Sequence, residues 1–124
     1  MKPRVPPHDS SAERSVLGAI MLDPEAIIQI AEKLKPESFY EPTHQTIYEA
    51  MSDLFEQRTP IDAVTVTNLL KKKKKLDSVG GSAAIAELTN AVSSASNISH
   101  YAKLVAEAAL RRTMISASAE MNEM

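Results

Sequence analysis

The sequence predicts an all-α fold, with a compact multi-helix head followed by one long helix. All seven prolines lie at or before Pro60, so the first half is divided into short segments and the second half is free for longer helices. Helix-start signals recur along the chain, and apolar residues follow them at helical spacing. One segment also reads as a strand, but no second convincing strand could pair with it.

The chain is expected to begin with an extended arm at residues 1–9, which the prolines between Pro3 and Pro7 make stiff. Ser10-Ser11-Ala12-Glu13 then has the form of a capping box, in which the serine accepts a backbone N–H and the glutamate reaches back to the helix start. The helix behind it carries an apolar face at helical spacing. That face consists of Val16, Leu17, Ile20 and Met21.

Asp23-Pro24 predicts a second helix, because Asp is a favoured N-cap and Pro at the first helical position loses no hydrogen bond. Its predicted stripe is Ile27, Ile28, Ala31 and Leu34. Lys35-Pro36 ends this helix, and Phe39-Tyr40 in the following connector is expected to plug the core. Pro42 starts a third helix, whose predicted inward residues are Ile47, Met51, Leu54 and Phe55.

Residues 61–70, IDAVTVTNLL, fit either a strand or a helix. The β-branched run favours a strand. We predict a helix, because Asp62 is a good N-cap and the apolar residues Val66, Leu69 and Leu70 fit one helical face. Lys71–Lys75 would then lie in the last turn, where cations suit the helix dipole. After a turn at Gly80-Gly81, Ser82 is expected to cap a helix that carries Ile85, Leu88 and Val92.

From Asn97 onward the chain contains no Pro or Gly, which predicts a long amphipathic helix. One of its faces is rich in alanine, and such faces let helices approach closely, so we expect a partner helix there. The candidate interface residues are Ile98, Tyr101, Ala102, Val105, Ala108, Ala109, Arg111 and Arg112. Because the pattern reaches Met124 without a cap or a glycine, we expect the natural protein to continue beyond it.

Composition argues against several classes of site. The 124 residues carry a net charge of −2, which disfavours a domain devoted to binding nucleic-acid phosphates. The chain has no Cys and only three Gly, and it contains neither GxxxxGK[ST] nor GxSxG. We therefore expect no catalytic, cofactor-binding or metal-binding residues. His8, His44 and His100 lie on separate predicted elements, and no segment reads as a signal peptide or a membrane span.

The run Lys71, Lys72, Lys73, Lys74, Lys75 is the strongest local charge feature. It could contact a nucleic-acid backbone or an acidic partner. It could also be an ordinary solvated helix end, which we favour because the chain is net acidic and no aromatic residue is interleaved with the lysines. An alternative function is accordingly a stand-alone all-α adaptor or nucleic-acid-binding module that uses this run. An enzyme in its own right ranks below both readings, since no catalytic constellation is apparent.

Taken together, the segments resemble the N-terminal domain of the DnaB-type replicative DNA helicase. The matching blocks are VPPHDSSAERSVLGAIMLDPEAI at 5–27, FYEPTHQTIYEAM at 39–51, PIDAVTV at 60–66, LDSVGGSAAIAELTN at 76–90, and SASNISHYAKLV with ALRRTMI after it. They appear in the family's order and cover nearly the whole chain. The chain departs from the family pattern at Ser11, where a glutamate is usual, at Ala84, where an aromatic residue is usual, and in the loop before the last helix, which lacks the usual proline.

The resemblance implies a division into three parts: an extended arm at 1–9, a globular head at 10–92, and at 97–124 the first helix of a helical hairpin, cut before its partner. In the family these domains pair into a collar, a trimer of dimers, on a hexameric helicase that unwinds duplex DNA at the replication fork. ATP and Mg²⁺ belong to a separate RecA-like C-terminal domain, which is absent from this sequence, as is the main DNA-binding part.

The resemblance also implies partners and a location. Self-association, primase and helicase loaders are the expected partners, no membrane is involved, and the protein is expected to be cytoplasmic. Ser11, Glu13 and Ala84 are candidates for a surface that communicates with primase. The departures at Ser11 and Ala84 weaken a transfer of individual primase contacts but leave the expected fold unchanged.

Overall fold

The computed structural model describes the backbone of residues 5–122 and the side chains of residues 5–117. This part of the chain is helical and contains no strand, which confirms the predicted all-α class. Its α-helices are α1 (Ser10–Leu22), α2 (Pro42–Glu56), α3 (Ala63–Lys72), α4 (Gly81–Leu88) and α5 (Ile98–Asn122). Short 3₁₀ segments lie between them at Pro24–Gln29, Pro36–Ser38 and Asp77–Val79. None of the described helices is long and apolar enough to cross a membrane.

Helix α1 runs through the centre of the fold and packs against α2, α4 and α5. From Ala12 to Met21, every residue except Arg14 is buried. The sequence predicted one apolar face, whereas the helix is enclosed on nearly all sides, because its neighbours come from distant parts of the chain. A Cβ atom at Gly18 would lie 2.4 Å from the Leu88 carbonyl oxygen, so only glycine allows α1 and α4 to approach this closely.

The predicted capping box at Ser10–Glu13 is wrong. The N-cap is Asp9, whose carboxylate accepts a hydrogen bond from the Ala12 amide at 2.9 Å. The helix therefore starts one residue earlier than the capping-box pattern requires, and the side chains of Ser10 and Glu13 are free for other partners. The Ser10 hydroxyl donates to the Glu41 carboxylate at 2.9 Å, and Glu13 is buried against α2 and the connector before it.

The segment after α1 does not form the predicted α-helix. Asp23 caps a 3₁₀ helix at Pro24–Gln29, and turns follow it up to residue 33. Ile28, predicted to face inward, is 61% exposed, whereas Ile30, which the prediction omitted, is fully buried. The tighter 3₁₀ winding changes which side chains share a face, so an α-helical wheel assigns this segment incorrectly.

The aromatic residues Phe39 and Tyr48 fill the space between the connector and α2. Phe39 is fully buried, as predicted, and its ring centroid lies 4.9 Å from that of Tyr48. The Tyr48 hydroxyl donates to the Leu34 carbonyl oxygen at 2.9 Å. Phe55 was predicted to face inward but is 39% exposed. Leu54 takes the inward position in the last turn, and Phe55 lies about 100° further round the helix.

The predicted helix in residues 61–70 is confirmed as α3. Asp62 and Thr65 form a reciprocal capping box at its start. The helix ends at Lys72, so only the first two lysines of the run belong to it, contrary to the prediction that all five lie in its last turn. Lys74 adopts φ +60°, and the Lys75 amide donates to the Leu70 carbonyl oxygen at 2.8 Å. This is a Schellman ending, with lysine at the position that usually holds glycine.

Helices α4 and α5 complete the fold. Gly80, with φ +100°, precedes α4 at the N-cap position, so Ser82 is its second residue and not the predicted cap. Val92 was predicted to belong to this helix but lies beyond its end at Leu88, partly buried against the core. Helix α5 packs on α1 mainly through its first two turns. The first four residues of the predicted arm and the last two of the predicted long helix lie outside the described residues.

Candidate partner-binding site

A groove lies between α1, α2 and α4, with a volume of about 370 Å³. Ile47 and Leu88 contribute apolar surface to it, and Arg14 and Glu87 place opposite charges around it. Ala84 of α4 and His44 of α2 both line this groove, although they are 40 positions apart in the sequence. The groove therefore places Ala84, one of the predicted primase-communication residues, near His44, which the sequence analysis did not assign to that surface.

Beside the groove, Glu13 is the centre of a buried hydrogen-bond network. The side chain is 1% exposed, and its carboxylate accepts hydrogen bonds from the Tyr40 amide at 2.7 Å and the Glu41 amide at 3.3 Å. His44 Nδ1 lies 2.7 Å from Glu13 Oε1. Burial by itself raises the pKa of Glu13, but the hydrogen bonds from His44 and the two amides outweigh it and lower the pKa below its ordinary value.

The three predicted communication residues lie in different environments. Ser11 is exposed on α1, and Ala84 is partly buried in the groove. Glu13 is enclosed, so its carboxylate is not accessible to a partner on the surface of this structure. Glu13 instead fixes the connector before α2 against α1. His44 of α2 bonds this carboxylate on α1.

The predicted interface on α5 is divided between the core and the surface. Ile98, Ala102 and Val105 are buried within this chain, so these three do not form an exposed interface here. Arg111 is exposed, whereas Arg112 is partly buried and donates to the carbonyl oxygens of two other segments. The remaining predicted residues are partly buried, namely Tyr101, Ala108 and Ala109.

Two larger apolar residues on α5 were missed from the sequence. Leu110 and Met114 are 61% and 62% exposed, and they lie one turn apart on the side of α5 opposite Val105. Ile115 is also exposed, on the flank of the helix. The signal was present in the sequence as a second apolar stripe, spaced i and i+4, out of phase with the stripe that begins at Ile98. This outward surface of Leu110 and Met114 is called the α5 outer face below.

The lysine run forms an exposed turn at one end of α3. All five lysines are exposed, and Lys73 forms an ion pair with Asp53 of α2. The other lysines project from the last turn of the helix and from the Schellman turn that follows. No aromatic residue lies within the run, so its chemistry is that of a solvated cationic surface.

The three histidines have separate surroundings. His8 stacks on Tyr40, His44 bonds Glu13, and His100 is exposed beside Tyr101. Among the residues that the structure describes, no group of three or more His, Cys, Asp or Glu side chains is arranged to hold a metal ion.

Comparison with known proteins gives a consistent result. The family model described as DnaB-like helicase N terminal domain matches residues 5–107. The chain is 41% identical over 115 residues to the replicative DNA helicase DnaB of Treponema pallidum, which covers 93% of this chain and 26% of that protein. It is 41% identical over 112 residues to the DnaB of Geobacillus stearothermophilus, covering 90% of this chain and 25% of that protein. The chain thus spans about a quarter of the length of these relatives.

The fold is also similar to solved structures. The N-terminal domain of DnaB helicase from Mycobacterium tuberculosis superposes with a TM-score of 0.93 at 39% identity, covering 96% of this chain and 83% of that one. A DnaB-like replicative helicase, solved in a study of its interactions with primase, matches with a TM-score of 0.82 at 30% identity, covering 93% of this chain and 27% of that one. The N-terminal domain of DnaB helicase from Helicobacter pylori shares the fold, with a TM-score of 0.73 at 23% identity over 91% of this chain and 88% of that one.

Proposed function

Since this chain belongs to the DnaB-like helicase N-terminal domain family, we propose that it is the collar domain of a hexameric replicative DNA helicase that unwinds duplex DNA at the replication fork. In this role it assembles subunits and recruits partners and is not itself catalytic. The observation that carries the proposal is the division of α5. Its first turns are buried within the head, whereas Leu110 and Met114 project as apolar side chains toward solvent.

The motor function is assigned to the rest of the parent protein. The relatives are replicative helicases about four times as long as the part that this chain matches. We propose that ATP and Mg²⁺ bind in a separate C-terminal domain, which also makes the main contacts with DNA. The parent protein is proposed to act in the cytoplasm, where it reaches the replication fork.

The proposed division of the chain is an arm at 1–9, a head at 10–92 and the first helix of a hairpin at 97–124. The start of α5 at Ile98 supports the last boundary. A second helix that followed α5 in the parent protein would cover apolar surface on its outer face. Pairing of such hairpins and of heads would give a dimer, and three dimers would form the collar.

Primase is the proposed partner of the head and hairpin, and a helicase loader is a further one. Two of the similar structures were determined in studies of helicase interactions with primase. In this chain, the groove lined by Ala84, His44 and Arg14 offers a concave, mixed polar and apolar surface for such a contact. The exposed Ser11 on α1 belongs to the same proposed communication surface.

The test is a calorimetric titration of this chain with the C-terminal domain of the primase encoded in the same genome. We expect binding, weakened by Ala84→Arg, which would place a long charged side chain in the groove. The matched control is Ala83→Arg, on the neighbouring exposed position of α4, which should leave binding unchanged. Absence of binding by the unsubstituted chain would contradict the recruitment role. ATP turnover above background would contradict the assignment of catalysis to the rest of the protein.

A further inference from the structure

Arg112 is an outlying point of attachment between α5 and the rest of the chain. Among the described side chains of α5, Val105 is the last one that is buried, and Arg112 lies two turns beyond it. The neighbouring side chains between them are exposed or only partly buried. A helix that is packed against the head only up to Val105 could pivot about its first turns. A contact at Arg112, two turns further along, therefore restrains the direction of the helix axis.

The Arg112 guanidinium binds two separate segments at once. Nη1 donates to the Pro7 carbonyl oxygen of the N-terminal arm at 2.9 Å. Nη2 donates to the Ser38 carbonyl oxygen, in the connector before α2, at 2.7 Å. The same guanidinium carbon lies 5.5 Å from the centroid of the Tyr40 ring. A planar fork with several donors suits this arrangement, whereas an ammonium group could not reproduce it.

Tyr40 connects these contacts to the arm and to the buried centre of the head. Its ring stacks on His8, with ring centroids 4.2 Å apart and an angle of 22° between the planes. His8 Nδ1 lies 2.8 Å from the Pro6 carbonyl oxygen, which restrains the arm further. The Tyr40 amide donates to the buried Glu13 carboxylate. An unbroken series of contacts therefore runs from α1 through the connector to α5 and the arm.

We infer that Arg112, Tyr40 and His8 form a latch that sets the direction of α5 relative to the head and holds the N-terminal arm against that helix. Because the arm supplies a carbonyl to Arg112, movement of the arm and movement of α5 are coupled. A partner that draws the arm away loosens α5, and a partner that shifts α5 releases the arm, since such coupling is reciprocal. The latch consists of contacts within one chain and does not depend on the proposed role in assembly.

The direction of α5 can be measured by pulsed electron paramagnetic resonance. The chain has no Cys, so Asn68→Cys on α3 and Ala117→Cys on α5, both at exposed positions, would carry nitroxide labels at two defined sites. Dilution with unlabelled protein restricts the measurement to distances within one chain. We expect a single narrow distance distribution, which Arg112→Ala should broaden. Arg112→Lys, which keeps the charge but loses the fork, should also broaden it.

Arg111→Ala is the matched control, because Arg111 is adjacent and exposed, and it should leave the distribution narrow. Helical circular dichroism checks that each variant is folded. If Arg112→Ala loses its helical circular dichroism, the distance distribution of the Arg112→Lys variant is the test of the latch. An unchanged distribution in a folded Arg112 variant, or equal broadening in Arg111→Ala, would overturn the latch.

Release of the arm is a second readout. A nitroxide at Val5→Cys, an exposed position in the arm, reports local mobility from its continuous-wave spectrum. We expect Arg112→Ala and Tyr40→Leu to sharpen this spectrum and Arg111→Ala to leave it unchanged. A spectrum that stays the same in both latch variants would show that the arm is held by other contacts, and the inferred coupling would be wrong.

Discussion

Glu13 shows how one buried carboxylate can organise three segments. Its carboxylate accepts hydrogen bonds from two consecutive amides in the connector and from His44 on α2. These bonds hold the end of the connector and the start of α2 against α1. The described part of the chain contains no buried side-chain polar atom without a partner. Both oxygens of the Glu13 carboxylate therefore have hydrogen-bond partners, and removal of the charge would leave buried donors unpaired.

Glu13→Gln should lower the free energy of unfolding by about 2–4 kcal/mol at neutral pH, because a neutral amide accepts fewer hydrogen bonds and turns its own N–H groups toward donors. Urea unfolding followed by circular dichroism measures this change. The control is Glu37→Gln, at an exposed position, which should change stability by less than about 0.5 kcal/mol. Equal stability of the two variants would show that the network contributes little.

Lys74 and Arg58 have the positive φ angles that glycine adopts most easily. Their φ values are +60° and +58°, and each follows a helix in a Schellman ending. Lys74→Gly should therefore raise the free energy of unfolding by about 0.5–1 kcal/mol, because a left-handed conformation strains any side chain with a Cβ. Thermal unfolding provides the measurement. Lys72→Gly, at the last residue of α3, where the backbone is still right-handed, should instead lower stability by up to about 1 kcal/mol, and a gain there would contradict the explanation.

Helix α1 depends on one close approach to α4. Gly18→Ala would place a Cβ atom against the Leu88 carbonyl oxygen and 3.0 Å from the Ala91 Cβ atom. Because the nearer obstacle is a backbone atom of helix α4, which packs on α1, we expect a loss of about 1–3 kcal/mol in the free energy of unfolding, despite the higher helix propensity of alanine. Ser11→Ala, at an exposed position of the same helix, is the control and should be nearly neutral. A stabilised Gly18→Ala variant would mean that α4 can move aside.

Helix α5 has a buried inner face and an exposed outer face. Charged residues introduced on the outer face should therefore affect self-association and not folding. The double variant Leu110→Asp with Met114→Asp should weaken self-association about tenfold or more and leave the helical signal unchanged, because both side chains are exposed in the single chain. Sedimentation velocity over a range of concentrations measures the effect. Val64→Asp on α3, also exposed, is the control and should not change association. Identical sedimentation of the unsubstituted chain and the double variant would exclude the α5 outer face as the interface for self-association.

Whole elements were predicted well where the signal is local. Asp62 with Thr65, and the apolar face after them, identify α3 as a helix although its β-branched residues favour a strand. The segment after Asp23 was misassigned as an α-helix, because tertiary packing selects the 3₁₀ form that buries Ala26 and Ile27. The interface on α5 stays a prediction, and three of its predicted residues are buried within this chain, since periodicity cannot tell whether an apolar face meets the same chain or another one.

The stability of the whole molecule should depend on pH at both ends of the range. Glu13 has a lowered pKa in the folded chain, so its contribution is present above the ordinary carboxyl pKa and is lost as the pH falls through the folded value. Burial raises the pKa of Tyr48 to about 12, partly offset by a hydrogen bond with Ser52. That contribution is present below pH 10 and is lost as the pH rises from 10 toward 12, because ionised Tyr48 cannot donate to Leu34.

We therefore expect a stability plateau at neutral pH, with an acid loss that Glu13→Gln reduces and an alkaline loss that Tyr48→Phe removes. Chemical unfolding at a series of pH values measures both. Each variant is the control for the other, since Tyr48→Phe should keep the acid loss and Glu13→Gln should keep the alkaline one. An alkaline loss of equal size in Tyr48→Phe would assign it to other groups.

The sequence by itself determined the helical class, the start of α3, the long final helix and the resemblance to the family, because these depend on spacing and local hydrogen bonding. Only the tertiary structure decided that Glu13 is enclosed, that Ile98 and Val105 belong to the core, and that Arg112 ties α5 to the arm. The physical reason is that these properties arise between segments far apart in the chain. The side chain of Arg112 meets Pro7 only after the helices between them have packed around α1.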